Sequence, residues 1–274
     1  MLKRIVMAVC AAVSMGATFV VHAEVDVTKY IRNGLVAHYD GIRNAGAGVA
    51  HDPAATVWKD LSGNGYDLVA YRGNKLPAWT DGNCAQWTNS AAASFACSRV
   101  SADFDPILSS TQNVTIELVA DATISGSYGL VSLLADENDA ARGNAPWGMN
   151  VYASQVYIFS GNGRSTLGFT SAMQTMENGT CSLTLVRSSN HWYLYYKGEL
   201  ARDGVTGTTY KQVRNLVLGS AGGDAGAGFV GKVYAVRIYN RALSAQEVAA
   251  NRVLDRVRFF NDVPEGYVLE GDVL

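Results

Sequence analysis

The chain has 274 residues, a formal net charge of −2 and no run of lysine or arginine. This charge balance gives no electrostatic basis for binding nucleic acid or an anionic membrane surface. The length suits one large β domain or two small ones, and 28 glycines against 5 prolines favour a chain with many turns.

The first 23 residues are organised as a secretory signal peptide. Lys3 and Arg4 form a basic start, an apolar stretch follows over residues 5–13, and Val21-His22-Ala23 provides a cleavage site. The alternative is a membrane anchor, which needs about 20 apolar residues, but polar and small residues interrupt this stretch. We expect residues 1–23 to be removed and the mature chain to reach the periplasm, the cell surface or the outside of the cell. No later stretch is long and apolar enough to span a bilayer.

Three cysteines follow the predicted signal peptide: Cys84, Cys97 and Cys181. In an oxidising compartment we expect Cys84 and Cys97 to form a disulfide, because they are only 13 positions apart and flank a predicted hairpin. Three buried free thiols are the alternative. The chain has no Cys-x-x-Cys motif and no cluster of histidines, so zinc binding is not predicted.

A polar loop follows the first predicted strand, which covers Gly34–Asp40. The loop lies within residues 57–71, VWKDLSGNGYDLVAY. Its Asp and Ser side chains can accept hydrogen bonds from nearby backbone N–H groups, and its glycines tolerate the positive φ of a tight turn. The alternative is a calcium site built from Asp60, Asn64 and Asp67, which carry hard oxygen donors.

The clearest strand covers Asn113–Asp121, where apolar and polar residues alternate strictly. The next apolar run, Tyr128–Ala135, is predicted to pair with it. An acidic segment follows, for which a solvated loop is the first interpretation and a calcium loop using Asp136 and Asp139 the alternative. Residues 147–152 and 155–160 are predicted to form a strand pair.

A hairpin is predicted from residues 181–186 and 191–197. Alternation places Trp192 and Leu194 on one face of the second strand and Tyr193 and Tyr195 on the other. Aromatic rings at a surface can stack on sugars, whereas core or cross-strand packing is the alternative. The candidate stacking residues are Trp147, Trp192, Tyr193 and Tyr195.

The stretch Gly231–Val257 changes from strand to helix periodicity. Its first half is β-branched and aromatic, as in a half-buried strand. Ser244 and Glu247 then have the spacing of a capping box, and Leu243 can pack against Val248 as a hydrophobic staple. One short amphipathic helix is therefore predicted after Ser244, with residues 259–274 left as an acidic tail.

The run VRIYNRALSAQEV, residues 236–248, resembles the closing strand and helix of laminin-G-like, concanavalin A-like domains of secreted bacterial proteins. Those domains read G-x-I-D-E-V-R-I-Y-N-R-A-L-S-x-x-E-I in this region. The opening GLVA at residues 34–37 and the D-x-S-G-N-G motif at residues 60–65 resemble two further family landmarks. The chain departs from the pattern at Tyr234 and Ala235, where the family has two acidic residues, so no role of those carboxylates is carried over.

The resemblance implies an all-β fold: a two-sheet antiparallel jelly-roll sandwich with one short C-terminal helix, formed by a single domain over residues 24–258. It also implies a non-catalytic binding module for a carbohydrate or a protein, with calcium as the only cofactor considered. Two alternatives are a structural or adhesive surface component and a glycoside hydrolase of the same fold.

Catalysis is not predicted. The Glu-x-Asp-x-x-Glu motif of laminarinase-type enzymes is absent. Glu117 and Asp121 share a strand face, but about 13 Å of strand rise separates them, too far for either glycosidase geometry. The histidines His38, His51 and His191 lack an obvious catalytic neighbourhood, and a lone histidine at a strand end is usually a surface or hydrogen-bonded residue.

Overall fold

The computed structural model describes residues 26–70, 77–87, 95–97, 113–122, 131–134, 147–152, 155–160, 180–205, 215–219 and 231–265. These ranges contain a 3-10 turn at Val27–Lys29, fourteen strands and one α-helix, α1, at Ala245–Phe260. The strands are β1 Leu35–Asp40, β2 Leu68–Ala70, β3 Ala78–Thr80, β4 Cys84–Trp87, β5 Phe95–Cys97, β6 Val114–Ala122, β7 Val131–Leu134, β8 Trp147–Tyr152, β9 Gln155–Ser160, β10 Thr180–Ser188, β11 His191–Tyr196, β12 Glu199–Val205, β13 Asn215–Leu218 and β14 Gly231–Tyr239.

The strands form two antiparallel sheets. The larger sheet has the order β12-β11-β10-β6-β14-β4-β3, and the smaller has the order β2-β5-β13-β7-β8-β9. The eighth strand of the larger sheet is β1, which pairs with residues 235–239 of β14, while β4 pairs with residues 231–233. The last strand therefore lies inside the larger sheet, with β6 on one side and β1 and β4 on the other.

The hydrophobic core lies between the two sheets. The alternate residues Ile116 and Leu118 of β6 pack in one cluster with Leu216 and Leu218 of β13 and with Met149 of β8. All five are essentially inaccessible to solvent. This packing confirms the predicted antiparallel β-sandwich with one C-terminal helix.

Most strands lie where the alternation placed them, but one predicted pairing was wrong. The β8–β9 pair and the β10–β11 hairpin form as predicted. However, β7 does not pair with β6: it lies in the smaller sheet, between β13 and β8. Alternation identifies the buried face of a strand but not its neighbour, which depends on long-range packing.

The helix α1 has the predicted capping box. Ser244 accepts a hydrogen bond from the Glu247 N–H, and the Glu247 carboxylate accepts one from the Ser244 N–H. Leu243 and Val248 pack in one cluster, as the staple predicts. The helix extends through Phe260 and ends at Asn261 in the left-handed conformation. Residues 259 and 260, which were assigned to the tail, thus belong to the helix.

The helix lies on the face of the larger sheet that points away from the smaller one. Phe259 packs against Tyr234 near its C-terminal end, and Val248 packs against Tyr239 near its N-terminal end. Within the described ranges, no helix combines the length and apolar character that crossing a bilayer requires.

Candidate functional site

The most polar part of the described interior lies beneath α1. Arg237 of β14 donates from Nε to Glu117 Oε2 at 2.7 Å, and its Nη1 and Nη2 donate to the two carboxylate oxygens of Asp255 at 2.9 and 2.7 Å. Burial raises the pKa of Glu117, against the opposing effect of Arg237. Burial alone would lower the pKa of Arg237, but Asp255 and Glu117 raise it well above its usual value.

Neutral side chains complete this network. Asn251 of α1 donates from Nδ2 to Glu117 Oε2 at 2.8 Å and to the Tyr239 hydroxyl at 3.0 Å. The Tyr30 hydroxyl donates to Asp255 Oδ1 at 2.8 Å. Glu117 therefore has a structural environment: it joins the sheet to the helix instead of facing an open cleft.

Next to this network, Arg258 of α1 and Asp40 of β1 form a second buried ion pair, with Nε and Oδ2 2.6 Å apart. His38 of β1 is fully buried nearby, with its ring 5.3 Å from that of Tyr30 in an edge-to-face contact. Neither ring nitrogen of His38 has a hydrogen-bond partner among the described residues. The interpretation of this histidine as a surface or hydrogen-bonded residue was therefore wrong.

The loop that contains Asp60 is organised by its own side chains. Asp60 accepts hydrogen bonds from the backbone N–H groups of His38, Ser62 and Tyr66 at 2.9 to 3.1 Å. Asn64 donates from Nδ2 to the Val36 carbonyl at 2.8 Å. Both Asp60 oxygens thus accept hydrogen bonds within the loop, which supports the turn-stabilising interpretation.

Asp67, the third predicted ligand in this loop, pairs with Lys59 at 2.6 Å and accepts the Asp60 N–H at 3.0 Å. The described ranges hold no group of three or more His, Cys, Asp or Glu side chains that could bind a metal ion. Asp136 and Asp139 lie outside the described residues, so calcium binding there stays a prediction.

Two of the predicted stacking residues are buried. Trp192 is 4% exposed and belongs to the core between the sheets, and Tyr195 is 7% exposed and packs in the cluster beneath α1. Neither ring can present a face to a ligand, so both predictions were wrong; the core-packing alternative holds. Trp147 starts β8, and its side chain lies outside the described residues.

The fourth candidate, Tyr193, is half-buried and belongs to a polar, aromatic patch. Its ring lies 4.8 Å from the ring of His191, tilted by 35°. His191 Nε2 lies 3.1 Å from Asp203 Oδ2 on the neighbouring strand β12, with 33% and 54% of the two side chains exposed. We call His191, Tyr193 and Asp203 the hairpin surface.

The predicted disulfide is not formed in the structure. Cys84 is a buried free thiol, and its Sγ lies 3.2 Å from the Thr80 hydroxyl. Cys84 belongs to β4 of the larger sheet, whereas Cys97 belongs to β5 of the smaller one. The two cysteines therefore do not flank one hairpin, which was the premise of the prediction.

Comparison with known proteins identifies the family of this chain. A family model described as the concanavalin A-like lectin/glucanases superfamily (Laminin_G_3) matches residues 98–249, more than half of the chain. The chain belongs to this superfamily. No curated protein matched the chain.

Solved structures show the same fold. A Trypanosoma rangeli sialidase, in complex with 2,3-difluorosialic acid as a covalent intermediate, superposes with a TM-score of 0.56 at 17% identity, over 81% of this chain and 33% of that one. The binding domain of botulinum neurotoxin serotype D superposes with a TM-score of 0.57 at 12% identity, over 81% of this chain and 52% of that one. The chain therefore spans about a third and about half of these two proteins.

The hairpin surface of this concanavalin A-like domain was only partly visible in the sequence. Alternation along β11 places His191 on the same face as Tyr193. Asp203 was missed because β12 was not predicted. In addition, an irregularity in the β11–β12 pairing, between Leu194 and Tyr195, shifts which residues of the two strands face each other.

Proposed function

We propose that the mature chain is a secreted, non-catalytic binding module that recognises a carbohydrate or a protein outside the cell or at its surface. Membership of the lectin/glucanase superfamily supports this proposal, as does the similarity in fold to a toxin's binding domain. The observation that carries it is the hairpin surface, where two adjacent aromatic rings lie beside a carboxylate that is half exposed.

The chemistry of this surface suits a neutral sugar. The faces of Tyr193 and His191 can contact the apolar C–H face of a pyranose, while Asp203 can accept hydrogen bonds from its hydroxyl groups. The His191–Asp203 contact holds both side chains in place before a ligand arrives, which lowers the entropy cost of binding.

The burial of Glu117 supports a non-catalytic role. A catalytic carboxylate of a glycosidase has to reach the scissile bond, but Glu117 is 3% exposed and pairs with Arg237 beneath α1. Asp121, on the same strand face, is separated from Glu117 by about 13 Å of strand rise, too far for either glycosidase geometry. Neither residue is proposed as a catalytic acid.

A glycan array followed by calorimetric titration tests the proposal. We expect saturable binding to a neutral oligosaccharide that falls at least tenfold in Tyr193→Ala and in Asp203→Ala. Asp262→Ala is the matched control, because Asp262 is also an exposed acid in an ion pair, with 52% of its side chain exposed. Equal binding by all variants would remove the hairpin surface from the proposal, and release of reducing sugar from any polysaccharide would contradict the non-catalytic assignment.

A structural or adhesive component is the second candidate. Strand β12 is an edge of the larger sheet among the described strands, and it exposes Leu200 by 54% and Val205 by 67%. Exposed apolar residues on an edge strand favour association. Light scattering of the purified protein over a concentration series would show self-assembly without a soluble ligand.

A further inference from the structure

The segment of residues 26–33, which we call the strap, covers one side of His38. It begins with the 3-10 turn, capped by Asp26, and continues through the buried Tyr30. The strap belongs to neither sheet, and side-chain contacts tie it to the body. The Arg237 guanidinium lies 4.2 Å over the Tyr30 ring, and Arg241 Nε donates to the Asn33 carbonyl at 2.8 Å. The Tyr30 hydroxyl donates to Asp255, the Ile31 N–H donates to Asn251 Oδ1 at 3.1 Å, and Arg32 donates to the Ser62 carbonyl at 3.0 Å.

His38 lies beneath the strap among groups that disfavour a charged ring. Arg237 of β14, Arg258 of α1 and Arg32 of the strap all oppose its protonation. The nearby carboxylates already bind arginines: Asp40 pairs with Arg258, and Asp255 and Glu117 pair with Arg237. Tyr30 contributes an uncharged ring and hydroxyl.

A proton on His38 would therefore have no acceptor in the closed structure. Neither ring nitrogen has a hydrogen-bond partner among the described residues, and an unpaired buried charge is costly. Burial lowers the pKa of His38 well below its usual value of 6.5, and the three arginines lower it further. The ring must reach water to accept a proton at mildly acidic pH.

We propose that protonation of His38 promotes opening of the strap at mildly acidic pH. In the open state water reaches the ring, while the β-sandwich stays folded. The strap is the short segment whose Tyr30 ring lies directly against the His38 ring. By contrast, β1 is held along its length by β14, and α1 is held by its capping box and two buried ion pairs. Opening of the strap breaks side-chain contacts but no sheet pairing, so this local opening costs less than global unfolding.

The direction of the effect follows from linkage. The closed state keeps His38 neutral, whereas the open state binds a proton below a pKa of about 6.5. Opening therefore becomes more favourable as the pH falls. Between pH 7.5 and 5.5 the opening equilibrium should increase about tenfold, because only the open ring titrates in this window.

Hydrogen exchange measured by mass spectrometry tests the proposal on the full mature chain. After correction for intrinsic exchange rates, we expect protection of residues 26–33 to fall about tenfold from pH 7.5 to 5.5. Protection of β6 and β14 should stay unchanged. In His38→Phe, which keeps an aromatic ring of similar shape, strap protection should change less than twofold. Because Glu117 is retained in both proteins, the difference between them reports the His38 ring alone.

Two controls keep the proposal falsifiable. His191→Gln removes a half-exposed histidine from another strand and should retain the wild-type pH dependence. If His38→Phe does not fold, NMR titration of the wild-type ring replaces it: the closed-state His38 signal should not titrate down to pH 5.5. The same pH dependence in wild type and His38→Phe would overturn the proposal. So would parallel loss of protection in β6 and β14, or titration of His38 near 6.5 with the strap still protected.

Discussion

Arg237 and Asp255 form a two-point ion pair in which only 1% of each side chain is exposed. The pair joins the central strand β14 to the helix α1, and the Tyr30 hydroxyl adds a third contact at Asp255. Replacing such a pair by apolar residues can be neutral. Removing Asp255 alone leaves the buried Nη1 and Nη2 donors of Arg237 without this acceptor, although Glu117 still balances the charge. The fold should therefore tolerate replacement of both partners better than loss of one.

Asp255→Ala tests this dependence. The substitution leaves the Arg237 guanidinium and the Tyr30 hydroxyl without their common acceptor. We expect the free energy of unfolding to fall by about 2–5 kcal/mol, because a buried donor left without an acceptor costs about 1–3 kcal/mol; urea denaturation measures the change. Asp262→Ala is the control, because the Arg256–Asp262 pair is solvent-exposed and should contribute at most about 1 kcal/mol. Similar losses in the two variants would contradict the structural role of the buried pair.

Glu247 should make the stability of α1 depend on acidic pH. Its hydrogen bonds from Arg241, together with the capping contact at Ser244, lower the pKa of Glu247 to about 2. A carboxylate with a lowered pKa stabilises the folded state above its unfolded pKa of about 4.5, and this contribution is lost as the pH falls toward 2. Thermal melts from pH 5 to pH 2 should show a smaller decrease in Tm for Glu247→Gln than for wild type. Equal decreases in Tm for the two proteins would show that the hydrogen bonds of Glu247 do not contribute to stability.

Trp192 packs so closely against Gly204 of β12 that this position has no room for a side chain. A Cβ at this position would overlap the indole ring of Trp192, which is fixed in the core. Gly204→Ala should therefore cost about 1–3 kcal/mol through overpacking, measured by urea denaturation. Trp192→Phe in the same background shortens the ring and should recover part of this loss. If the free-energy costs of the two substitutions simply add, the loss in Gly204→Ala does not come from overlap with Trp192.

Cys84 should react slowly with thiol reagents in the native protein. Burial raises the pKa of the Cys84 thiol, and thiol reactions require the thiolate. Alkylation at pH 8 followed by peptide mass spectrometry should leave Cys84 unlabelled until denaturant is added. A peptide linking Cys84 to Cys97 under non-reducing conditions would contradict the free thiol seen in the structure.

Local features of this fold were predictable from the sequence. The capping box at Ser244 and Glu247 and the alternation of Val114–Ala120 depend on spacing within one element, and the structure shows both. Such patterns express the geometry of a single helix or strand, so they need no knowledge of distant residues.

Features that join distant segments were not predictable. The alternation of β11 left Trp192 and Tyr195 as candidates for exposure, but both rings are buried, Trp192 between the sheets and Tyr195 beneath α1. Exposure of an aromatic ring thus depended on an element about 50 residues away. The partners of Glu117 likewise come from distant segments, Asn251 from α1 and Arg237 from β14.

The pairing of β1 with β14 has a consequence for biogenesis. Strand β14 is bordered by β6, β1 and β4, so the larger sheet lacks its middle until residue 239 has been synthesised. Loops of about 200 residues must close before these contacts form, and such long-range topologies fold slowly. Late completion of the larger sheet suits the export that we propose for this chain, because a translocation pore threads an unfolded polypeptide.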